Sequence, residues 1–176
     1  WCSDKPLSDW YGVETDASGH VTALRLSHNN LSGTISEKIS KLTGLQHLDL
    51  SWNDLGGEIS IDIKGYMYSN LDNLLELESI NFSHNRLEGY LPDNWYKLEK
   101  LQYLNLSFNR IKSWLSTIWD PMFKNGRTVD LILNGNYLYG DIPKSIQDHP
   151  DWNRLALQMI RQNPGGARLN YDKDIY

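Results

Sequence analysis

LQYLNLSFN, residues Leu101–Asn109, is written three more times in this chain and once in a worn form. The copies are VTALRLSHN at Val21–Asn29, LQHLDLSWN at Leu45–Asn53 and LESINFSHN at Leu77–Asn85, with TVDLILNGN at Thr128–Asn136 as the worn one. Each reads apolar-x-x-apolar-x-apolar-x-x-Asn. The asparagines at 29, 53, 85, 109 and 136 are separated by 24, 32, 24 and 27 residues, a 24-residue unit lengthened once by eight and once by three. A fixed period in this range predicts a solenoid, in which each unit buries its apolar face only against its neighbours.

The residues after each phrase also repeat: NNLSGTISEKISKL from Asn29, NDLGGEISIDI from Asn53, NRLEGYLPDNWYKL from Asn85 and NYLYGDIPKSI from Asn136. The shared template NxLxGxIPxxIxxL, running over residues 21–147, resembles the plant-type class of leucine-rich repeats. The resemblance implies an α/β fold: a right-handed solenoid of about five rungs of roughly 24 residues, with a concave parallel sheet, an N-terminal cap and a C-terminal helical cap. Plant versions of the cap bracket Trp-x-Gly-Val with two cysteines. Here Trp10-Tyr11-Gly12-Val13 has none beside it, and the opening WCSDKPLSDWYGV and closing IRQNPGGARLNYDKDIY are closer to repeat proteins on the surface of Bacteroidetes-like bacteria.

Residues 1–20 read as the N-terminal cap, with a short strand running back against Val21–Leu26 to cover the open sheet edge. Residues 21–147 carry the repeats, with insertions near 64–76 and 113–127, and 148–176 read as a cap helix and tail, all in one continuous domain. Tyr66, Met67 and Tyr68 fall in the first insertion. In the second, apolar residues at 115, 118, 119, 122 and 123 follow helical spacing and predict packing on the convex side. Trp152, Leu155, Ala156, Met159 and Ile160 share one face of a helix started by Asp151 and stopped before Pro164-Gly165.

The net charge of -5, with basic residues scattered rather than gathered in a stripe, argues against nucleic acid. No apolar run approaches a membrane span, so an export signal or anchor is expected, if anywhere, outside this stretch. Cys2 is the single cysteine and excludes an internal disulfide. It is expected to pack within the cap. No nucleophile elbow, paired-cysteine metal pattern, EF-hand loop or nucleotide fingerprint is present, and Gly33, Gly57, Gly89 and Gly140 share one turn position outside any phosphate-loop context. The acidic pairs Asp93/Glu99 and Asp172/Asp174 read as solvated charge. No cofactor is expected, nor a metal at His28 and His84, two rungs apart.

Two sets of residues therefore carry the reading. Asn29, Asn53, Asn85, Asn109 and Asn136 are expected to form a structural ladder, since an amide beside so many leucines is tolerated only when hydrogen-bonded. The outward positions, where the repeats stop agreeing, are the candidate binding face: Arg25, His28, His47, Asp49, Trp52, Asn81, His84, Tyr103, Asn105 and Phe108. Ala23, Ser79 and Asp130 stand in the same columns. Ser27, Ser51, Ser83 and Ser107 are expected to serve the turn.

The resemblance implies a non-catalytic module of a secreted or cell-surface protein, monomeric, taking an extracellular protein, peptide or glycan on its concave face. A structural spacer in a larger surface protein is the rival, and an enzyme a distant third. Sequons at Asn30, Asn81 and Asn105 matter only in a eukaryotic secretory pathway.

Overall fold

The computed structural model describes residues 4–123, 127, 129–164 and 168–172. The expectations for Cys2 and for Asp174 lie outside the described residues. The five phrases form five parallel strands, Val21–Arg25, His47–Asp49, Ser79–Asn81, Tyr103–Asn105 and Asp130–Ile132, stacked in chain order. Val13–Thr15 pairs antiparallel with the first and covers its free edge. The turn between them is held by Asp16, whose Oδ1 accepts the Ser18 and His20 amides at 2.8 and 2.9 Å.

Register is set by the period-2 alternation. Leu48, Ile80, Leu104 and Leu131 stand in line and are fully buried, and Leu50, Phe82, Leu106 and Leu133 form a second buried line. Each such side chain contributes about 2 kcal/mol by leaving water. Ala23 keeps its place in the outward column but is covered. It lies in register between Glu14 and His47, and beside these larger neighbours its methyl is fully buried.

A second parallel sheet, which the sequence reading did not anticipate, joins Ser32–Thr34, Asp54–Glu58 and Arg86–Glu88 just after each asparagine. Gly57 lies within it at φ +79°, where a Cβ would sit 2.8 Å from Thr34 Cγ2, so positive φ and crowding both demand glycine. In the fourth rung Ser113 takes the glycine position, and its hydroxyl accepts the Leu91 amide at 3.1 Å. The chain then crosses the convex side through 3₁₀ turns at Glu37–Lys41, Asn70–Asn73, Asp93–Lys97 and Thr117–Phe123, stacked on one another.

The asparagine ladder is continuous. Asn109 Oδ1 accepts the Leu87 amide at 2.9 Å, while its Nδ2 donates to the carbonyls of Phe82, Leu106 and Ser107 at 2.9, 3.0 and 3.3 Å. Asn85 and Asn136 repeat this one rung before and after, and Asn53 does so in the second rung. Every bend thus has its buried backbone groups satisfied by the asparagine of the next rung. Asn29 has no preceding rung to serve and donates only to Ser27 O.

At the far end Gln162 takes over. Its Oε1 accepts the Leu138 amide at 3.1 Å and its Nε2 donates to Leu133 O and Met159 O, which is the asparagine pattern supplied from the cap. Helix Trp152–Met159 buries Trp152, Leu155, Ala156 and Met159, and Leu169–Asn170 pairs with Gly140–Asp141. Asp151 precedes the helix as expected but makes no side-chain cap; its carboxylate meets Arg154 instead.

The eight extra residues of the long unit form a β-hairpin, Ile61–Ile63 against Tyr66–Tyr68, that starts ahead of the expected boundary at 64. Ile61-Asp62-Ile63 reads as a continuation of the repeat, yet Lys64 and Gly65 at φ 55° and 84° turn it back on itself. Asp93, expected to be solvated, anchors this hairpin: its Oδ2 accepts the Met67 amide at 2.9 Å. Asn94 ties the hairpin's exit by exchanging two bonds with the Ser69 backbone, at 3.2 and 3.0 Å. In the fourth rung Leu115, Trp119, Met122 and Phe123 are buried as the spacing implies, and Trp114 is exposed.

Candidate functional site

Three residues beyond each strand, the backbone enters the left-handed region: φ is 57° at His28, 55° at Trp52, 54° at His84, 55° at Phe108 and 71° at Gly135. A non-glycine residue there costs about 1–2 kcal/mol, and four consecutive rungs accept it. The rings offset the cost by stacking. Centroid distances are 5.2 Å for His28–Trp52, 3.6 Å for Trp52–His84 and 4.4 Å for His84–Phe108, with interplanar angles of 12°, 13° and 20°. Beyond Phe108 the ladder ends on Gly135, where a Cβ would lie 2.7 Å from the phenyl ring.

His28, Trp52, His84 and Phe108, expected in a row on the outward face, do stand in a row, but beyond the ends of the strands. They stand on the bend, because positive φ takes them out of the strand's alternation. Trp52 and Phe108 are still about half exposed, at 51% and 48%, but they present ring edges. Both faces of Trp52 and of His84 are covered by neighbouring rings, and the indole of Trp52 separates the two imidazoles.

Burial in the stack, and secondarily the positive field of His28, hold the His84 imidazole below its ordinary pKa. The folded chain therefore prefers neutral His84. The unfolded chain takes up a proton near pH 6.5, so this contribution is fully present above about pH 6.5 and is lost as pH falls from there through the lower folded value. We expect the melting temperature to drop more between pH 7.5 and pH 5 in the parent chain than in His84→Phe, measured by circular dichroism. Equal drops would remove His84 from the account.

On the sheet itself, His47, Ser79, Tyr103 and Asp130 form one line across the rungs and Arg25, Asp49, Asn81, Asn105 and Ile132 the next. With strands about 4.8 Å apart, these nine positions make one continuous, largely polar surface. His47 Nδ1 lies 2.9 Å from Ser79 Oγ, and Asn105 Nδ2 donates to Tyr103 Oη at 3.1 Å. Arg25 Nε pairs with Glu14 of the cap strand at 2.6 Å.

Asp49, Asn81 and Asn105, expected to supply contacts to a partner, have a second duty. The Oδ1 of each accepts both the amide and the hydroxyl of the serine two residues on, at distances from 2.6 to 3.1 Å. The serine column thus serves the turn through these side chains. Asp49 Oδ2 and Asn81 Nδ2 remain without a partner among the described residues.

Arg154 was missed. From the cap helix it reaches the last strand and pairs with Asp130, while also holding Asp151 at 3.1 Å. Helical periodicity placed it off the apolar face, but nothing local indicated that the cap would bring it to the sheet end. Among the described residues no helix is long and apolar enough to cross a membrane.

Leucine-rich repeat family models match residues 20–42, 76–98 and 100–124, and a second leucine-rich repeat model matches 41–59. With the five-rung sheet and its asparagine ladder, these matches make the chain a leucine-rich repeat protein. Among solved structures it is similar to the BIR2 ectodomain from Arabidopsis thaliana, at 25% identity and a TM-score of 0.78 over 97% of this chain and 83% of that one. The leucine-rich repeat ectodomain of the Arabidopsis receptor kinase SOBIR1 is 25% identical, with a TM-score of 0.68 over 92% and 83%. The Arabidopsis receptor kinase HAESA, in complex with the peptide hormone IDA and the co-receptor SERK1, is 29% identical, with a TM-score of 0.65 over 84% of this chain and 22% of that one.

Proposed function

We propose that this chain is a non-catalytic binding module of a secreted or cell-surface protein and that a peptide or protein partner lies across its concave sheet. The observation that carries the reading is the contrast between repeating and non-repeating positions. Buried and turn positions are the same from rung to rung, whereas His47, Ser79 and Tyr103, and Arg25, Asp49 and Asn81, differ while standing in line. Packing enforces the first set, and rigid sheets of stacked repeats serve as extended binding surfaces through the second. HAESA, bound to a peptide hormone and a co-receptor, supports the same class of partner.

A peptide or protein suits the surface better than a glycan, because sugar rings pack on open aromatic faces and those of Trp52 and His84 are covered. The absence of a cysteine pair bracketing Trp10-Tyr11-Gly12-Val13 supports display at a bacterial surface of the Bacteroidetes-like kind. The spacer reading draws on one observation of its own, that the sheet's asparagines and serines satisfy each other.

The test is a screen of immobilised extracellular peptides and ectodomains beside a glycan array, followed by titration of His47→Ala/Tyr103→Ala. Removing a half-buried aromatic anchor and its neighbour should weaken the best protein or peptide hit by at least about tenfold with little change in melting temperature. Saturable binding to glycans alone would contradict the partner class. No saturable binding in either screen would favour the spacer.

A further inference from the structure

On the convex side, the hairpin presents a surface that the concave reading does not use. Its register pairs Ile61 with Tyr68 and Ile63 with Tyr66, so these four side chains share one face, and all four are exposed. An isolated two-stranded hairpin is marginal in water, and this one is held at its second strand and root by Asp93 and Asn94. Between the hairpin and the turns Asp93–Lys97 and Thr117–Phe123 lies a cleft of about 450 Å³. That is the size of a pocket for a small ligand or a few residues of peptide.

The cleft's chemistry is one-sided. Tyr66, Tyr68 and Tyr96 line it, and the first two rings meet at 60° with centroids 6.4 Å apart, edge to face rather than stacked like the ladder. Asp93 and Asp120 line it too, each half-buried with one carboxylate oxygen committed, to the Met67 amide and the Ser145 hydroxyl respectively. The other oxygen of each has no partner among the described residues. Lys97, the cleft's lysine, already meets Asp72, 3.4 Å away.

We propose that this cleft is a second binding site, for a lysine or arginine side chain carried on an extended segment of a partner protein. Open tyrosine faces attract a cation through the ring quadrupole, and two half-used carboxylates in a partly desolvated groove supply the complementary charge. The net charge of -5 adds attraction at longer range.

The test titrates the whole chain with octa-arginine, a glycine-serine peptide of equal length and cellohexaose, following backbone amide shifts. Octa-arginine should move the amides of residues 61–68 and 93–97, and the two neutral probes should not. Asp93→Asn/Asp120→Asn keeps the acceptors for Met67 and Ser145 and should weaken octa-arginine by at least about tenfold. Tyr66→Ala/Tyr68→Ala, which leaves net charge unchanged, should weaken it by about tenfold. Should that pair release the hairpin, Tyr96→Ala on the facing turn reads the same contact. His47→Ala/Tyr103→Ala on the concave sheet should leave octa-arginine binding intact, so the two sites can fail separately. Shifts scattered over the acidic surface and unchanged by the tyrosine variants, or cellohexaose occupying the cleft in preference to octa-arginine, would overturn the proposal.

Discussion

Asn109→Ala is expected to lower the melting temperature by about 10 °C. The substitution removes four hydrogen bonds at once around a side chain only 4% exposed; it leaves the Leu87 amide unpaired, while the Phe82 and Leu106 carbonyls keep one bond each, from Asn85 and Asn136. Orphaning the buried Leu87 amide costs about 1–3 kcal/mol and each further lost bond about 0.5–1.5 kcal/mol, so about 3 kcal/mol for the set is a lower figure. Asn29→Ala provides the contrast. It removes a single donor bond to Ser27 O at the partly open first rung and should cost under about 1 kcal/mol. Thermal unfolding of the two variants side by side checks the ladder, and equal losses would mean that the asparagines act through local turn propensity rather than through inter-rung bonds.

Trp119→Ala should be at least as damaging, at about 4 kcal/mol. The indole is 1% exposed, donates to Pro92 O at 2.8 Å and lies nearly parallel to Trp95 with centroids 6.3 Å apart. It also lines a small cavity together with Met67 of the hairpin, so faster hydrogen exchange of the Met67 amide should accompany the loss. Trp114→Ala, five residues earlier in the same apolar run, removes an exposed ring that meets Tyr90 edge to face at 5.5 Å. It should cost about 1 kcal/mol or less. Chemical denaturation of both variants separates the two tryptophans, and similar midpoints would contradict the placement of Trp119 in the core.

That pair shows where the sequence was legible and where it was not. The strands, the inward leucines and the asparagines follow from a period and an alternation, both of which survive in one-dimensional text. The site columns were legible as columns too, since His47, Ser79 and Tyr103 recur at one offset. Their partners were not. Whether His28, Trp52, His84 and Phe108 face outward or lie on each other depends on a positive φ, and no residue type there announces it, because glycine appears only in the fifth copy. Asp49, Asn81 and Asn105 looked like free polar groups because the two-residue Asx turn to the following serine is a three-dimensional relation. Gln162 lies outside the repeats, so no template marked it as the ladder's final member.

The stacked ladder also changes what Trp52 reports. With a ring on each face, Trp52→Ala removes two stacking contacts of about 0.5–1.5 kcal/mol apiece, so lost binding in that variant would be entangled with lost stability. The sheet positions His47 and Tyr103 are cleaner probes, since neither belongs to the asparagine ladder or to the ring stack.

The most direct test of a concave binding face is therefore a footprint: hydrogen exchange of the whole chain with and without the tightest partner from the screen. Protection should centre on His47–Asp49, Ser79–Asn81 and Tyr103–Asn105 and be lost in His47→Ala/Tyr103→Ala. Protection confined to the second sheet or to the hairpin, with those three strands unchanged, would contradict it.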